Sequence, residues 1–131
     1  MKKIICIDDD PVALMYYRAL IKKTEFAEEI VVANNGQEAI EYYKNLLNSP
    51  PEQKETPPSV ILLDLNMPVM NGWEFLEEFL NTYHIHFPNT KIIILTSSSD
   101  PRDENKAKEF SYPLQFFAKP LTKEILESVQ Y

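Results

Sequence analysis

Short apolar runs recur along the chain at even spacing: Lys3–Ile7, Glu29–Ala33, Val60–Leu63, Lys91–Leu95 and Leu114–Ala118. Four are near-continuous in Ile, Val, Leu or Phe with little alternation, and Glu29–Ala33 is weaker. Continuous apolar strands are buried on both faces, so the pattern predicts five strands of a mostly parallel sheet covered by helices. Helical stretches fill the intervals, as parallel crossovers require. Asp10 is a suitable N-cap ahead of Pro11. After it, Ala13, Tyr16, Tyr17, Leu20 and Ile21 recur at helical spacing and are expected to face the core. Gln37–Leu47, Trp73–Tyr83 and Pro101–Phe110 read as further helices, and a last one runs from an N-cap at Thr122 to about Gln130. Pro101–Phe110 is mostly charged, with few anchors beyond Ala107 and Phe110, and is expected to be the least stable element.

Between the second helix and third strand, Ser49–Ser59 carries Pro50, Pro51, Pro57 and Pro58 and reads as an exposed loop rather than a domain linker. The first two strands and helices cannot close a sheet alone. The expectation is one domain over residues 1–131 with no output domain, since 131 residues bury one core of ordinary size.

Composition narrows the function. One cysteine, Cys6, excludes a disulfide framework and a multi-cysteine zinc site, and its apolar setting reads as a reduced core residue. The two glycines, Gly36 and Gly72, stand far apart, so neither a Walker A loop nor a GxGxxG loop can be built. A net charge of −7 argues against direct nucleic-acid binding, because phosphates must be met by excess Lys and Arg. The apolar run Ile4–Ile7 is too short for a secretory signal, and the longest run, Val12–Tyr17, falls far short of the ~20 residues of a spanning helix. The reading is a cytoplasmic protein that makes no membrane contact.

The chemistry lies where the strands end, which is where doubly wound sheets bind ligands. The first strand ends in Asp8-Asp9-Asp10, the third in Asp64, the fourth in Thr96, and the fifth in Lys119-Pro120. Asp10 is explained by its cap. A strand end needs no paired acids, however, and Asp64 and Lys119 interrupt apolar runs where an unpaired charge is expensive. Two ionised carboxylates ~4 Å apart repel by several kcal/mol at an effective dielectric near 20, so such a cluster calls for a raised pKa or a cation. The candidate ligands Asp8, Asp9, Asp64 and the backbone carbonyl of Asn66 are all oxygens, which favours Mg²⁺ or Mn²⁺. His84 and His86 point to different sides and make a poor metal pair. A metal-side carboxylate with a lysine and a hydroxyl nearby suits phosphoryl transfer onto Asp64, which is ionised at neutral pH and needs no general base.

Ile7-Asp8-Asp9-Asp10-Pro11, Leu63-Asp64-Leu65-Asn66-Met67-Pro68 with Asn71-Gly72, Leu95-Thr96-Ser97 and Lys119-Pro120, in this order and spacing, resemble the response-regulator receiver domain of two-component signalling. The resemblance covers the whole chain. It implies an α/β fold of (βα)5 type, doubly wound and flavodoxin-like or CheY-like, with a five-stranded parallel sheet of order 2-1-3-4-5. It further implies Mg²⁺-dependent transfer of a phosphoryl group from a histidine kinase or histidine phosphotransfer protein to Asp64, the phosphoacceptor. Asp9 and Asp64 match direct metal ligands, Asp8 a ligand through water, and Asn66 a carbonyl ligand. Thr96 and Lys119 match the groups that meet the phosphoryl oxygens, and the Lys119–Pro120 bond is expected to be cis. The family's switch pairs the hydroxyl at Thr96 with an aromatic on the fifth strand, here Phe116, and a Phe can act only through packing. The readout face is the fourth helix, fifth strand and fifth helix, and Asn66 and Ser98 are placed to tune hydrolysis. Such a protein is a signalling phosphoacceptor rather than an enzyme acting on others, although it promotes its own phosphorylation and dephosphorylation.

A stand-alone receiver relays phosphate onward or binds a downstream protein target, as a monomer or weak homodimer. Leu14, one turn before Arg18 on the otherwise polar side of the first helix, is the candidate for kinase docking. Two segments depart from the family pattern: Phe110-Ser111-Tyr112-Pro113 ahead of the fifth strand, and the long Ser49–Ser59 loop. The main alternative is a receiver-like binding module that is never phosphorylated, against which stands the intact set Asp8, Asp9, Asp64, Thr96 and Lys119. An aspartyl-phosphate phosphatase needs its nucleophile on the first strand and an acid where Asn66 stands. A flavodoxin-like flavin binder needs a phosphate loop where Asp8-Asp9-Asp10 repel one.

Overall fold

The computed structural model describes residues 2–53, 55–97 and 100–129. Strands β1 (Lys3–Ile7), β2 (Glu29–Ala33), β3 (Val60–Leu63), β4 (Lys91–Thr96) and β5 (Leu114–Ala118) form one sheet. All four pairings are parallel, in the order β2-β1-β3-β4-β5. Helices α1 (Pro11–Lys23), α2 (Gly36–Asn48), α3 (Gly72–Glu78), α4 (Pro101–Lys108) and α5 (Lys123–Glu127) alternate with them. The fold class and every strand fall where the apolar runs place them.

The pleat divides the core in two. Ile5, Ile7, Ile61, Leu63, Ile92 and Ile94 face α2 and α3, while Ile4, Cys6, Val60, Leu62, Ile93 and Leu95 face α1 and α5. Central strands β1, β3 and β4 are buried as expected, but β5 is only half-buried along Leu114–Phe117. It is the sheet edge, and the helix covering it, α4, buries only Ala107. Burial pushes the Cys6 thiol up to about 12, which keeps it an unreactive core group. Among the described residues, no helix is long and apolar enough to cross a membrane.

The expected third helix changes pitch partway. After Glu78 the chain widens into a π-helical turn, Phe79–Tyr83, then tightens into a 3₁₀ turn, His84–His86. In an α-helix, residues four apart drift round the axis. The wider turn opposes that drift and keeps Phe75, Phe79 and Tyr83 packed around the buried Tyr43 ring, at centroid distances of 6.5, 5.0 and 6.2 Å.

Helix α1 is turned relative to the expectation. Its buried stripe is Leu14, Tyr17 and Ile21, while Tyr16 is 45% exposed. Leu14 is 6% exposed and packs in the core with Tyr17 and Ile21, so it is not the exposed surface group that the docking expectation requires. The most exposed large apolar side chains of this helix are Val12 and Met15. Tyr16 lies at the rim because its hydroxyl donates to the Leu121 carbonyl at 2.7 Å.

The proline-rich loop is fastened at the opposite end of the sheet from the acidic residues. Lys3, buried at the start of β1, donates to the Thr56 carbonyl at 2.8 Å and lies 3.4 Å from Glu55 and 3.5 Å from Glu29. Helix α4 packs on β5, and Trp73 of α3 adds side-chain contacts to it and to the residues just beyond its end. The Trp73 and Phe110 rings stack at 5.9 Å and 3°, the Lys106 ammonium sits 5.2 Å from the Trp73 ring centre, and the Trp73 indole N–H reaches Asp103 at 3.4 Å.

Candidate functional site

Neighbouring strands bring the acids together. Asp8 follows β1 and Asp64 follows β3, and the Asp64 N–H donates to the Ile7 carbonyl at 2.9 Å, holding the two strand ends in register. One carboxylate oxygen from each of Asp8, Asp9 and Asp64 lies within 4.8 Å of the other two. Asp8 and Asp64 are buried and Asp9 is exposed. Asp10 stands apart as the N-cap of α1, where its side chain accepts from the Val12 N–H at 2.9 Å.

The buried Asp8 carboxylate has three donors. Oδ1 accepts from the Asp10 backbone N–H at 3.0 Å, and Oδ2 accepts from the Tyr17 hydroxyl and the Lys119 ammonium, each at 2.9 Å. Lys119 also stands 3.5 Å from Asp64 Oδ1. Its backbone N–H donates to the Thr96 carbonyl at 2.9 Å, and the Lys119–Pro120 bond is cis, as expected from the sequence. Burial pulls the Lys119 ammonium down, but Asp8 and Asp64 outweigh it and the net shift is upward, so the lysine stays charged.

Asp64 is raised from its ordinary 3.8 to about 6. Burial is the main cause, the Asp8 charge adds to it, and Lys119 and the Asn66 backbone N–H oppose it. Asn66 therefore meets the site through a backbone N–H as well as carrying the carbonyl expected as a ligand. The three-acid cluster has the hard oxygen donors that suit a divalent cation such as Mg²⁺, and a cation would relieve the repulsion that raises Asp64.

The loop after Asp64 is held under strain. Val69 has φ 69°, a left-handed conformation unfavourable for a β-branched residue, and the Met70 N–H closes a tight turn onto the Pro68 carbonyl at 2.8 Å. The Met70 carbonyl accepts from the Gly36 N–H at 3.1 Å, which ties the loop to α2. Gly72 packs directly on the acceptor strand: a Cβ there would stand 2.5 Å from the Asp64 carbonyl oxygen and 2.7 Å from Leu65 Cα.

The two switch candidates lie on adjacent strands. Phe116 pairs with Ile94, and Thr96 is two residues beyond Ile94, so both point to the α4 side of the sheet, one pleat apart. Thr96 is fully buried, while Phe116 is half-buried and borders a cavity of about 290 Å³ shared with Ala107 and Phe110. His84 packs edge-on to Tyr112 at 4.6 Å and His86 is exposed; neither belongs to the acid cluster. Ser98 lies outside the described residues. The sequence reading placed Tyr17 in the core but missed its hydroxyl as a partner of Asp8. A tyrosine among the core positions of α1, within reach of the first strand's end, was the available signal.

A doubly wound α/β sheet with three acids, a hydroxyl and a lysine at its strand carboxyl ends defines a class, and comparison with known proteins gives the family. Residues 4–130 match the response regulator receiver domain, and the chain belongs to that family. It is 32% identical over 100 residues to the transcriptional regulatory protein LnrK of Bacillus subtilis, covering 76% of this chain and 39% of that protein. It is 30% identical over 96 residues to the chemotaxis protein CheY of Thermotoga maritima, covering 73% of this chain and 68% of that one. The crystal structure of a two-component response regulator from Cytophaga hutchinsonii superposes with a TM-score of 0.83 at 30% identity, over 97% of this chain and 92% of that one. The chain is thus a receiver domain of two-component signalling, a family in which phosphorylation and Mg²⁺ binding are general properties.

Proposed function

We propose that Asp64 accepts a phosphoryl group from a histidine kinase or histidine phosphotransfer protein, and that the phosphorylated form is read by a downstream protein. The observation that carries this reading is the Asp64 carboxylate, buried beside Asp8 and 3.5 Å from the Lys119 ammonium. A carboxylate oxygen of Asp64 attacks phosphorus as the N–P bond of the phosphohistidine breaks, and the bonding pair stays on the imidazole nitrogen. The product is an acyl phosphate on Asp64, and no general base is needed.

Asp9 and Asp64, the Asn66 carbonyl, and Asp8 through water would hold Mg²⁺ or Mn²⁺. When bound, the ion neutralises phosphoryl oxygens and the crowded acids. Lys119 lies within reach of a group on Asp64 and offers it a second cation. Thr96 supplies a hydroxyl for the phosphoryl oxygens, and its movement frees space for Phe116 to turn toward the sheet. Because Phe116 has no hydroxyl, the signal to α4, β5 and α5 passes through packing.

The test is intact mass after incubation with acetyl phosphate, with and without Mg²⁺, beside Asp64→Asn. One phosphate added only with metal, and absent from the variant, supports the reading. No adduct, either from acetyl phosphate or from a histidine phosphotransfer protein, favours a binding module that is never phosphorylated.

A further inference from the structure

Packing accounts for the ring of Tyr17 but not for its hydroxyl. The ring lies in the buried stripe of α1 with Leu14 and Ile21, where burial alone asks only for an apolar side chain. The hydroxyl donates to Asp8 Oδ2 at 2.9 Å, the same oxygen that Lys119 approaches at 2.9 Å. Asp8 is 1% and Tyr17 3% exposed, so the place of the Tyr17 hydroxyl on Oδ2 is closed to bulk water, whereas the Lys119 side is partly open.

The two donors differ in what they are free to do. Lys119 ends a flexible side chain and also lies 3.5 Å from Asp64 Oδ1, where a transferred phosphoryl group would draw it. Tyr17 is fixed by the core packing of α1. Once Lys119 turns toward Asp64, Asp8 keeps the Asp10 backbone N–H on Oδ1 and the Tyr17 hydroxyl on Oδ2. Without the hydroxyl, a buried carboxylate oxygen would lose its last protein donor at that step, which is costly for a charged group.

We propose that Tyr17 is a positioning residue of the receiver site: its hydroxyl fixes the Asp8 carboxylate for cation binding and keeps it hydrogen-bonded when Lys119 leaves. The inference rests on the function proposed above. Partners that orient ligand side chains typically set metal affinity by about 10–100-fold. The neighbouring Tyr16 is an internal control, because its hydroxyl donates to the Leu121 carbonyl at 2.7 Å and not to an acid.

The experiment compares the unsubstituted protein, Tyr17→Phe and Tyr16→Phe by calorimetric titration with Mg²⁺ in the absence of any phosphoryl donor. Mass-detected labelling by acetyl phosphate is run in parallel. Tyr17→Phe is expected to bind Mg²⁺ about tenfold more weakly and to label more slowly at subsaturating metal, with Tyr16→Phe unchanged. Equal Mg²⁺ affinity in all three proteins, or an equal loss in both variants, overturns the proposal while leaving the phosphoacceptor reading intact. Failure of the unsubstituted protein both to bind Mg²⁺ and to label removes the reading itself, and the proposal with it. Should Tyr17→Phe not fold, the unsubstituted protein decides. The Asp8 carboxyl ¹³C resonance is then expected to show a deuterium isotope shift transmitted from the Tyr17 hydroxyl with Mg²⁺ present, and no such shift overturns the proposal.

Discussion

The Lys119 ammonium stands closer to Asp8, at 2.9 Å, than to Asp64, at 3.5 Å. Even from that distance it lowers the Asp64 pKa, working against burial and the Asp8 charge. Replacing it with methionine removes that support and leaves two buried acids facing each other. In metal-free Lys119→Met, the Asp64 carboxyl is expected to titrate above the value of about 6 that it has with the lysine in place. A ¹³C titration of the aspartate carboxyls measures this directly, and an unchanged midpoint would show that the lysine does not govern Asp64.

Asp64 carries a stability consequence with a definite sign. Its folded pKa of about 6 lies above its ordinary 3.8, so between these values the folded state holds more protons than the unfolded chain. Stability from this group is therefore greatest below the lower value and is lost as pH rises through the upper one. A shift of this size corresponds to at most about 3 kcal/mol, and an asparagine also forfeits the ionic contact with Lys119. Asp64→Asn is expected to stabilise the metal-free protein by about 1–3 kcal/mol at pH 7.5, with the advantage vanishing near pH 4. Denaturant melts across pH test it; a variant less stable at pH 7.5 goes against the argument.

Gly72 is required by proximity. The atoms a Cβ would meet, the Asp64 carbonyl oxygen at 2.5 Å and Leu65 Cα at 2.7 Å, are both backbone and cannot rotate away. Gly72→Ala is expected to cost about 1–3 kcal/mol of stability through overpacking. Displacing Asp64 by a fraction of an ångström is expected to slow acetyl phosphate labelling more than tenfold, since small misplacements of reacting groups are expensive. Labelling at the unsubstituted rate would show that the strand accommodates the methyl without moving its acid.

Helix α4 buries only Ala107 of its own residues, and the Trp73 ring meets it at Asp103 and Lys106 and stacks on Phe110 just beyond its end. Amides of residues 101–110 are expected to exchange faster than those of β1, β3 and β4 in the unphosphorylated protein. Trp73→Ala is expected to speed that exchange up to about tenfold, the scale of one aromatic pair. Hydrogen exchange read by mass spectrometry checks both, and protection of α4 equal to that of the central strands would count against them.

Much of the molecule was legible in its sequence because local signals and the global fold agree. Five apolar runs marked five strands, and charges set at the ends of apolar runs marked Asp8, Asp64 and Lys119, since a buried charge needs a reason to be there. Helix α1 was legible only in part. Val12-Ala13-Leu14-Met15-Tyr16-Tyr17 is apolar all round, so periodicity cannot say which side faces inward. Packing against β1 and α5 chose Leu14 and Tyr17 and left Met15 outside. The half-burial of β5 followed from its place at the sheet edge, and the need for Gly72 from a close approach between segments that share no local pattern. The Tyr17–Asp8 hydrogen bond joins two residues whose meeting depends on the rotation of α1. Sequence determined the elements and the charged groups at their ends; only tertiary packing decided the faces and distances, because those are set by contacts between elements rather than within them.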